Sequence, residues 1–146
     1  MSFLVRLAVI AWLGIAGLTH AQDGHVAIFK SVSGQVVVVR GGAELIPVAG
    51  TPLLRNDVIR SGPGSSAGIV FRDGTRLAVG AGTEMEVRRY LFEPEDNQYD
   101  FNVFLRKGAV IYSSGKLGKL APGAVNLSTP RATTGVRGTR FILREE

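Results

Sequence analysis

A glycine-rich motif near the C-terminus carries the residue types best suited to binding an anion. From Gly135 to Arg140 the sequence reads Gly-Val-Arg-Gly-Thr-Arg. Backbone amides in such a turn, together with the guanidinium groups of Arg137 and Arg140, could hold a phosphate or a carboxylate. No Gly-Lys-Ser/Thr follows and no helix is predicted after it, so a nucleotide P-loop is not supported. We favour a structural alternative, in which Gly138 lies where two strands pack closely and Arg137 fixes the turn by hydrogen bonds.

Two aspartates could act as acid–base groups, but their sequence neighbours favour a structural role. Asp57 and Asp73 each lie beside turn-forming residues, where an Asp side chain commonly accepts hydrogen bonds from its own backbone. Ser113 and Ser114 have no base close in sequence that would make either of them a nucleophile. We therefore predict that the protein is not an enzyme.

The sequence offers little support for a metal or a cofactor. Beyond residue 21, His25 is the only His, and no Cys, His or Glu lies at ligand spacing from it. An acidic loop with Glu93, Glu95 and Asp96 has oxygen ligands for calcium but lacks the EF-hand pattern, so we predict a solvated turn. The chain has no Cys, which excludes disulfides, lipoprotein attachment and thiol chemistry.

Four basic residues form a second candidate for anion binding. Arg106 and Lys107 follow a predicted strand, and Lys116 and Lys119 lie in the adjoining loop. This cluster could attract anionic glycans or lipid headgroups. Nucleic acid is disfavoured, because no aromatic residues alternate with these cations as a single-strand groove requires. Scattered surface charge is the alternative interpretation.

The N-terminus predicts export. Arg6 is the only charge in the first 22 residues, and an apolar run of 12 residues precedes a small-residue exit at Ala21. These features are typical of a secretory signal peptide. A membrane anchor needs about 20 apolar residues, so it is the weaker alternative. We predict a signal peptide over 1–21 and a mildly basic mature chain over 22–146. We expect that chain in the periplasm or outside the cell, without a stable membrane anchor.

Composition and patterning predict an all-β fold. The chain has 19 Gly, 6 Pro, abundant Val and almost no run at helical period, which indicates short strands joined by tight turns. The length suits one domain with a single core. We predict strands over 27–32, 35–40, 66–72, 75–80, 84–90, 99–105, 109–112, 124–128 and 140–144, with loops at 93–97 and 113–123.

Turn signals and alternation predict two hairpins and a core. Ser33-Gly34 and Asp73-Gly74 each separate two predicted strands, and the second pair tolerates the positive φ values of a type I′ turn. The run Val36–Val39 is apolar on both faces, which favours a central strand covered on both sides. The predicted core is Val36, Val38, Leu53, Ile59, Ala67, Ile69, Phe71, Leu77, Val79, Met85, Val87, Val110, Val136 and Phe141.

Short motifs follow one another in a characteristic order through most of the chain. They are Gly34-Gln35-Val36-Val37-Val38, Gly50-Thr51-Pro52-Leu53, Asp57-Val58-Ile59, Ser61-Gly62, Ser65-Ser66-Ala67, Phe71-Arg72-Asp73-Gly74-Thr75-Arg76-Leu77, Gly108-x-Val110, Thr129-Pro130-x-Ala132 and Val136-Arg137-Gly138-Thr139-x-Phe141. In order and spacing they resemble the FecR domain, the periplasmic part of regulators that relay a surface signal to an extracytoplasmic sigma factor. The resemblance implies a rolled or solenoid-like domain, with a compact β-sandwich as the alternative. It makes these family-motif residues structural: Asp57, Asp73, Gly74, Thr75, Thr129, Pro130, Arg137, Gly138 and Thr139.

Regulators of that family also carry a cytoplasmic sigma-binding segment, a membrane span and a subdomain that contacts an outer-membrane transporter. The sequence shows none of the three, so we expect a free-standing domain that binds another envelope protein. We predict a non-enzymatic protein-interaction module of the cell envelope, linked to surface signalling. The alternative function is binding of anionic envelope glycan or lipid headgroups through the basic residues.

Overall fold

The computed structural model describes residues 24–146, and buried and exposed residues alternate along most of its strands. Such alternation places one face of each strand on a shared core. A short helix, α1 (Lys116–Leu120), and two 3₁₀ turns complete the structure. The twelve strands are β1 (His25–Ser33), β2 (Val36–Arg40), β3 (Ala43–Leu45), β4 (Pro52–Leu54), β5 (Val58–Ser61), β6 (Ser66–Phe71), β7 (Arg76–Val79), β8 (Glu84–Glu93), β9 (Gln98–Ser113), β10 (Val125–Ser128), β11 (Thr133–Gly135) and β12 (Arg140–Glu145).

The strands form one curled sheet, a half-barrel, in which β9 belongs to two halves. We call half A the strands β4-β1-β6-β7-β9-β12, where the C-terminal part of β9 lies between β7 and β12. Half B is β3-β2-β5-β8-β9-β10-β11, where the N-terminal part of β9 lies between β8 and β10. All pairings are antiparallel except β9 with β10. The prediction of one all-β domain with a rolled sheet is confirmed.

Gly108 lets β9 continue from one half into the other. Its φ is +99°, and a Cβ there would lie 2.5 Å from the Cα of Thr83. The register between β8 and β9 shifts beside it, from Glu84 opposite Lys107 to Met85 opposite Leu105. Such a bulge bends a strand without ending it. The sequence predicted two strands here, at 99–105 and 109–112, and this was wrong.

The core lies between the two halves. Thirteen of the fourteen predicted core residues are buried, and Phe141 is half-buried against them. Aromatic rings from three strands meet at Phe101, whose centroid lies 5.1 Å from that of Phe71 and 5.7 Å from that of Tyr112. The prediction from alternation therefore holds for the core. It omitted the buried aromatic residues of β9.

Three local predictions were wrong. Ser33-Gly34 does not form a hairpin, because β1 pairs within half A and β2 within half B. Val37 and Val39 are only half-buried, so β2 is covered fully on one face alone. The loop predicted at 113–123 contains helix α1, whose Leu117 is completely buried. Turn-forming residues predict that the chain changes direction, but they do not determine which strand the next strand pairs with.

The predicted signal peptide, 1–21, lies outside the described residues. Among residues 24–146, no helix is long and apolar enough to cross a membrane. Across the same residues, no group of three or more His, Cys, Asp or Glu side chains could hold a metal ion.

Candidate functional site

The Asp73-Gly74-Thr75 motif forms the turn between β6 and β7. The N–H of Phe71 donates to the carbonyl of Thr75 at 2.8 Å, and the N–H of Gly74 donates to the carbonyl of Phe71 at 3.0 Å. A type I′ turn needs positive φ at two residues, but only Gly74 has it, at +88°. The hairpin is therefore confirmed and the turn type was wrong. Between the hydrogen-bonded residues Phe71 and Thr75, the loop has three residues, of which the last is the left-handed Gly74.

The carboxylate of Asp73 is buried, and the residue is only 3% exposed. Oδ1 accepts hydrogen bonds from the Tyr90 hydroxyl at 2.8 Å and the Thr75 N–H at 3.3 Å. Oδ2 accepts them from the Thr75 hydroxyl at 2.6 Å and the Leu117 N–H at 2.9 Å. Four donors thus replace the water that a carboxylate loses on burial. The arrangement supports a structural role, because it leaves neither oxygen directed at solvent or a substrate.

Tyr90 and helix α1 complete this node. Burial, followed by the hydrogen bond to Asp73, raises the pKa of Tyr90 well above its ordinary value of 10. A Cβ at Gly115 would lie 2.6 Å from the carbonyl carbon of Gly74, so only glycine fits there. The N–H of Lys116 donates to the carbonyl of Asp73 at 3.0 Å. Sequence reasoning missed Tyr90 and Gly115, since no local pattern connects them with the turn.

Asp57 forms a second buried node, which joins the two halves. Its Oδ1 accepts from Arg40 Nε at 2.9 Å, and its Oδ2 accepts from Arg40 Nη2 at 2.7 Å and from the Leu54 N–H at 2.8 Å. Arg40 Nη2 also donates to the carbonyl of Pro52 at 3.1 Å. The hydrogen bond to Asp57 raises the pKa of Arg40. Because Arg40 belongs to half B and β4 to half A, this carboxylate connects their ends.

Apart from the buried Val136 and the half-buried Thr129 and Phe141, the closing motif is exposed, and part of its prediction was wrong. Thr129 caps the turn between β10 and β11, where its hydroxyl accepts from the Ala132 N–H at 3.2 Å, and Pro130 in that turn is exposed. Gly138 has a φ of +117° with nothing within 4 Å of its Cβ position, so crowding is the wrong reason for this glycine. The carbonyl of Thr139 accepts from the Ser114 N–H at 2.8 Å.

Arg137 does not fix this turn. It is exposed, and within residues 24–146 its side chain has no hydrogen-bond or salt-bridge partner. The predicted hydrogen bonds from Arg137 were therefore wrong. Arg140, the second cation of the motif, opens β12, where it lies opposite Ser113 of β9.

The four basic residues predicted as an anion surface lie on two elements. Arg106 and Lys107 are in the middle of β9, whereas Lys116 and Lys119 are on α1, beyond the end of that strand. Arg106 Nε lies 3.6 Å from a carboxylate oxygen of Glu84. Its charge is therefore shared with an acid of the same sheet.

The described part of the chain is thus a curled all-β sheet in which the carboxylates of Asp57 and Asp73 are hydrogen-bonded internally. The FecR protein family matches residues 57–146, which is more than half of the chain. The chain belongs to the FecR family, and the resemblance inferred from its motifs is confirmed. This family of non-enzymatic signalling regulators links the protein with signalling at the cell envelope. Searches of the curated proteins and of the solved structures found no match.

Proposed function

We propose that this protein is an exported, non-enzymatic interaction module of the cell envelope that takes part in surface signalling by adding a partner's strand to its sheet. Family membership supports the signalling part. The open edge of β12 is the observation that carries the interaction. A β-strand with one free edge has unpaired N–H and C=O groups, to which a partner strand can bind.

Among residues 24–146, β12 is the best suited of the four edge strands. It has six residues, pairs with β9 on one side only, and has no strand on its other side within residues 24–146. The exposed side chain of Ile142 adds an apolar contact. The other edges are short: β3, β4 and β11 have three residues each, β4 begins with Pro52, and β11 ends with Gly135. Short, proline-containing edges discourage pairing.

Two proline variants test this mechanism. Successive N–H groups of a strand point to opposite edges, so one of Ile142→Pro and Leu143→Pro removes a donor that faces β9 and the other a donor that faces the open edge. We expect the variant that loses the donor facing β9 to be less stable. The variant that loses the donor facing the open edge should keep the fold but no longer bind the partner. The readout is a photo-cross-linking residue at Arg144 in intact cells, with the same residue at exposed Ile46 as control. Equal adducts from both positions would contradict strand addition at β12.

Export has its own test. Intact-mass analysis of the periplasmic or secreted protein should give a chain that begins at Gln22. Trp12 is the only Trp and lies in the leader, so this product should lack Trp fluorescence. A membrane-bound product that retains Met1 would contradict export.

The alternative function, binding of an anionic envelope polymer, is supported by three of the four predicted basic residues. Lys107, Lys116 and Lys119 are exposed and have no carboxylate within 4.0 Å among residues 24–146, whereas Arg106 is paired with Glu84. An anionic envelope polymer would use the three lysines. Binding to lipopolysaccharide or peptidoglycan fragments that disappears in Lys107→Gln/Lys116→Gln/Lys119→Gln would favour it, and binding that persists would exclude it.

A further inference from the structure

We propose that the outer face of half A binds the acidic tip of the β8–β9 hairpin of a second copy of this chain. The tip is the exposed segment 93–98, and the face is defined by four cations around an apolar floor. This interaction differs from strand addition, because it uses side chains on the outer face of β1, β7 and β12 and not the backbone groups at the open edge of β12.

Strand pairing brings the cations of the face together. Val70 of β6 lies opposite Arg76 of β7, and Arg76 lies opposite Ser113 of β9, which on its other side faces Arg140 of β12. Lys30 of β1 lines the same shallow groove, of about 360 Å³, as Arg76 and Arg140. Alternation along β12 puts Arg144 on the same face, two residues beyond Ile142. We call Lys30, Arg76, Arg140 and Arg144 the basic face.

The floor between these cations is apolar and partly exposed. Small and aliphatic residues occupy the neighbouring positions of β6, β7 and β9. At either side, Ile28 is 41% exposed and Ile142 is 52% exposed. The floor consists of Gly68, Val70, Ala78 and Ile111. An apolar floor surrounded by arginines suits a partner that combines carboxylates with an apolar contact.

Among residues 24–146, no carboxylate forms an ion pair with the basic face. The strands of half A, with β9 counted only over its C-terminal part, contain one acidic side chain, Glu145, which points away from the face and pairs with Arg131 at 3.1 Å. None of the four cations has a carboxylate within 4.0 Å among the described residues, and Glu146 lies beyond β12. Within residues 24–146, the basic face therefore carries positive charge that no ion pair neutralises.

The same chain carries the complementary group. Glu93, Glu95 and Asp96 lie in six consecutive exposed residues, around a 3₁₀ turn that begins at Pro94. Apart from Glu146, they are the described carboxylates that are neither ion-paired nor buried like Asp73. Strand pairing up to Glu93 opposite Gln98 holds the tip in place.

The tip matches the basic face in charge, in apolar character and in size. It offers three carboxylates for the guanidinium groups and Pro94 for the apolar floor. The face spans five strands, about 20 Å from β1 to β12, which accommodates a two-stranded hairpin end. Because the tip belongs to half B and the face to half A, the contact joins unlike surfaces of two copies. Such head-to-tail contacts lead to rings or open chains of copies.

Sedimentation velocity of the purified protein tests this inference. We expect association at an ionic strength of about 0.01 M and loss of it at about 0.1 M, since the Debye length falls from about 30 Å to about 10 Å. Charge reversal on either side, Lys30→Glu/Arg76→Glu or Glu93→Lys/Glu95→Lys, should weaken association by about tenfold or more. A protein that stays monomeric at low ionic strength would overturn the proposal.

A charge swap makes the test specific. Each reversed variant repels itself, but a mixture of the two restores opposite charges, so we expect the mixture to associate. Lys107→Glu/Lys119→Glu is the control, because it makes the same change of net charge on other surfaces and should retain association. A control that loses as much as the Lys30/Arg76 variant, or a mixture that stays monomeric, would overturn the proposal.

Two further measurements cover a variant that fails to fold and a lipid surface as the occupant of the basic face. If the reversed face does not fold by circular dichroism, Lys30→Gln/Arg76→Gln replaces it and should still weaken association. If the unmodified protein stays monomeric but sediments with vesicles of phosphatidylglycerol, and not with vesicles of phosphatidylcholine, the face binds a lipid surface and the second copy is excluded as its occupant.

Discussion

The outer faces of the two halves differ in whether their cations are ion-paired, although β9 contributes to both halves. On half B, cations and acids alternate and pair: Arg60 Nε lies 2.8 Å from Glu84, and Arg88 Nε lies 3.5 Å from Glu86. The Arg88 guanidinium also lies 3.8 Å from the ring centroid of Phe104. On half A, the cations surround aliphatic residues, and none of them forms an ion pair among residues 24–146. Among residues 24–146, most cations on the outer face of half B are thus ion-paired, and those on the outer face of half A are not.

The largest expected effect concerns the junction between the halves. Gly108→Val combines a strained positive φ with a clash against Thr83, so we expect a loss of about 3–5 kcal/mol in the free energy of unfolding. Gly41→Val is the control: its φ is +57°, but nothing lies near its Cβ position, and about 1 kcal/mol should be lost. Urea unfolding measures both. Equal losses would mean that close approach at Gly108 does not hold the halves together.

The next effect concerns the ion pair that ties the ends of the halves. Arg40→Met leaves the Asp57 carboxylate, which is 1% exposed, with Leu54 as its remaining hydrogen-bond donor. We expect a loss of about 2–3 kcal/mol, because a buried charge without its partner is costly. Thermal unfolding at neutral pH measures it. If Arg40→Met cost no more than the removal of an exposed cation, Asp57 would not join the halves.

A pH effect should come from Tyr90, which extends from half B to Asp73 of half A. Its pKa is raised in the folded protein, so above the ordinary value of 10 the unfolded chain loses the proton first. The contribution of Tyr90 to the free energy of unfolding is therefore fully present below pH 10, and it declines as the pH rises toward the pKa of Tyr90 in the folded protein. Tyr90→Phe should make this decline shallower in urea titrations at several alkaline pH values. We attribute the decline that remains in Tyr90→Phe to Tyr112, because burial raises the pKa of Tyr112 as well. An unchanged slope would contradict the assignment to Tyr90.

The smallest effect tests the two faces directly. Arg60→Gln removes an ion pair from half B and should cost about 0.5 kcal/mol. Arg76→Gln removes an unpaired cation from half A and should leave stability unchanged or slightly higher, since repulsion among neighbouring cations is relieved. Chemical unfolding of both variants at low ionic strength provides the comparison. A larger loss from Arg76→Gln would mean that the basic face has a structural partner.

The sequence alone determined the features that depend on local pattern. Composition and the near absence of helical periodicity predicted the all-β class. Alternation predicted almost all of the core, because period-two burial is a property of each strand by itself. Turn residues located the Asp73-Gly74 hairpin, and the ordered motifs identified the family. Local pattern also pointed to Asp57 and Asp73, because Asp beside a turn signal accepts backbone hydrogen bonds.

Only the tertiary structure decided which segments meet. Asp73 takes hydrogen bonds from Tyr90 and Leu117, which are 17 and 44 residues away. The Ser33-Gly34 turn leads into the other half, and β9 continues through Gly108, because pairing partners and close approaches are fixed by packing between distant segments. The basic face follows the same rule. Lys30, Arg76 and Arg140 are scattered in sequence, and they share a surface because the sheet places β1, β7 and β12 side by side around the same floor.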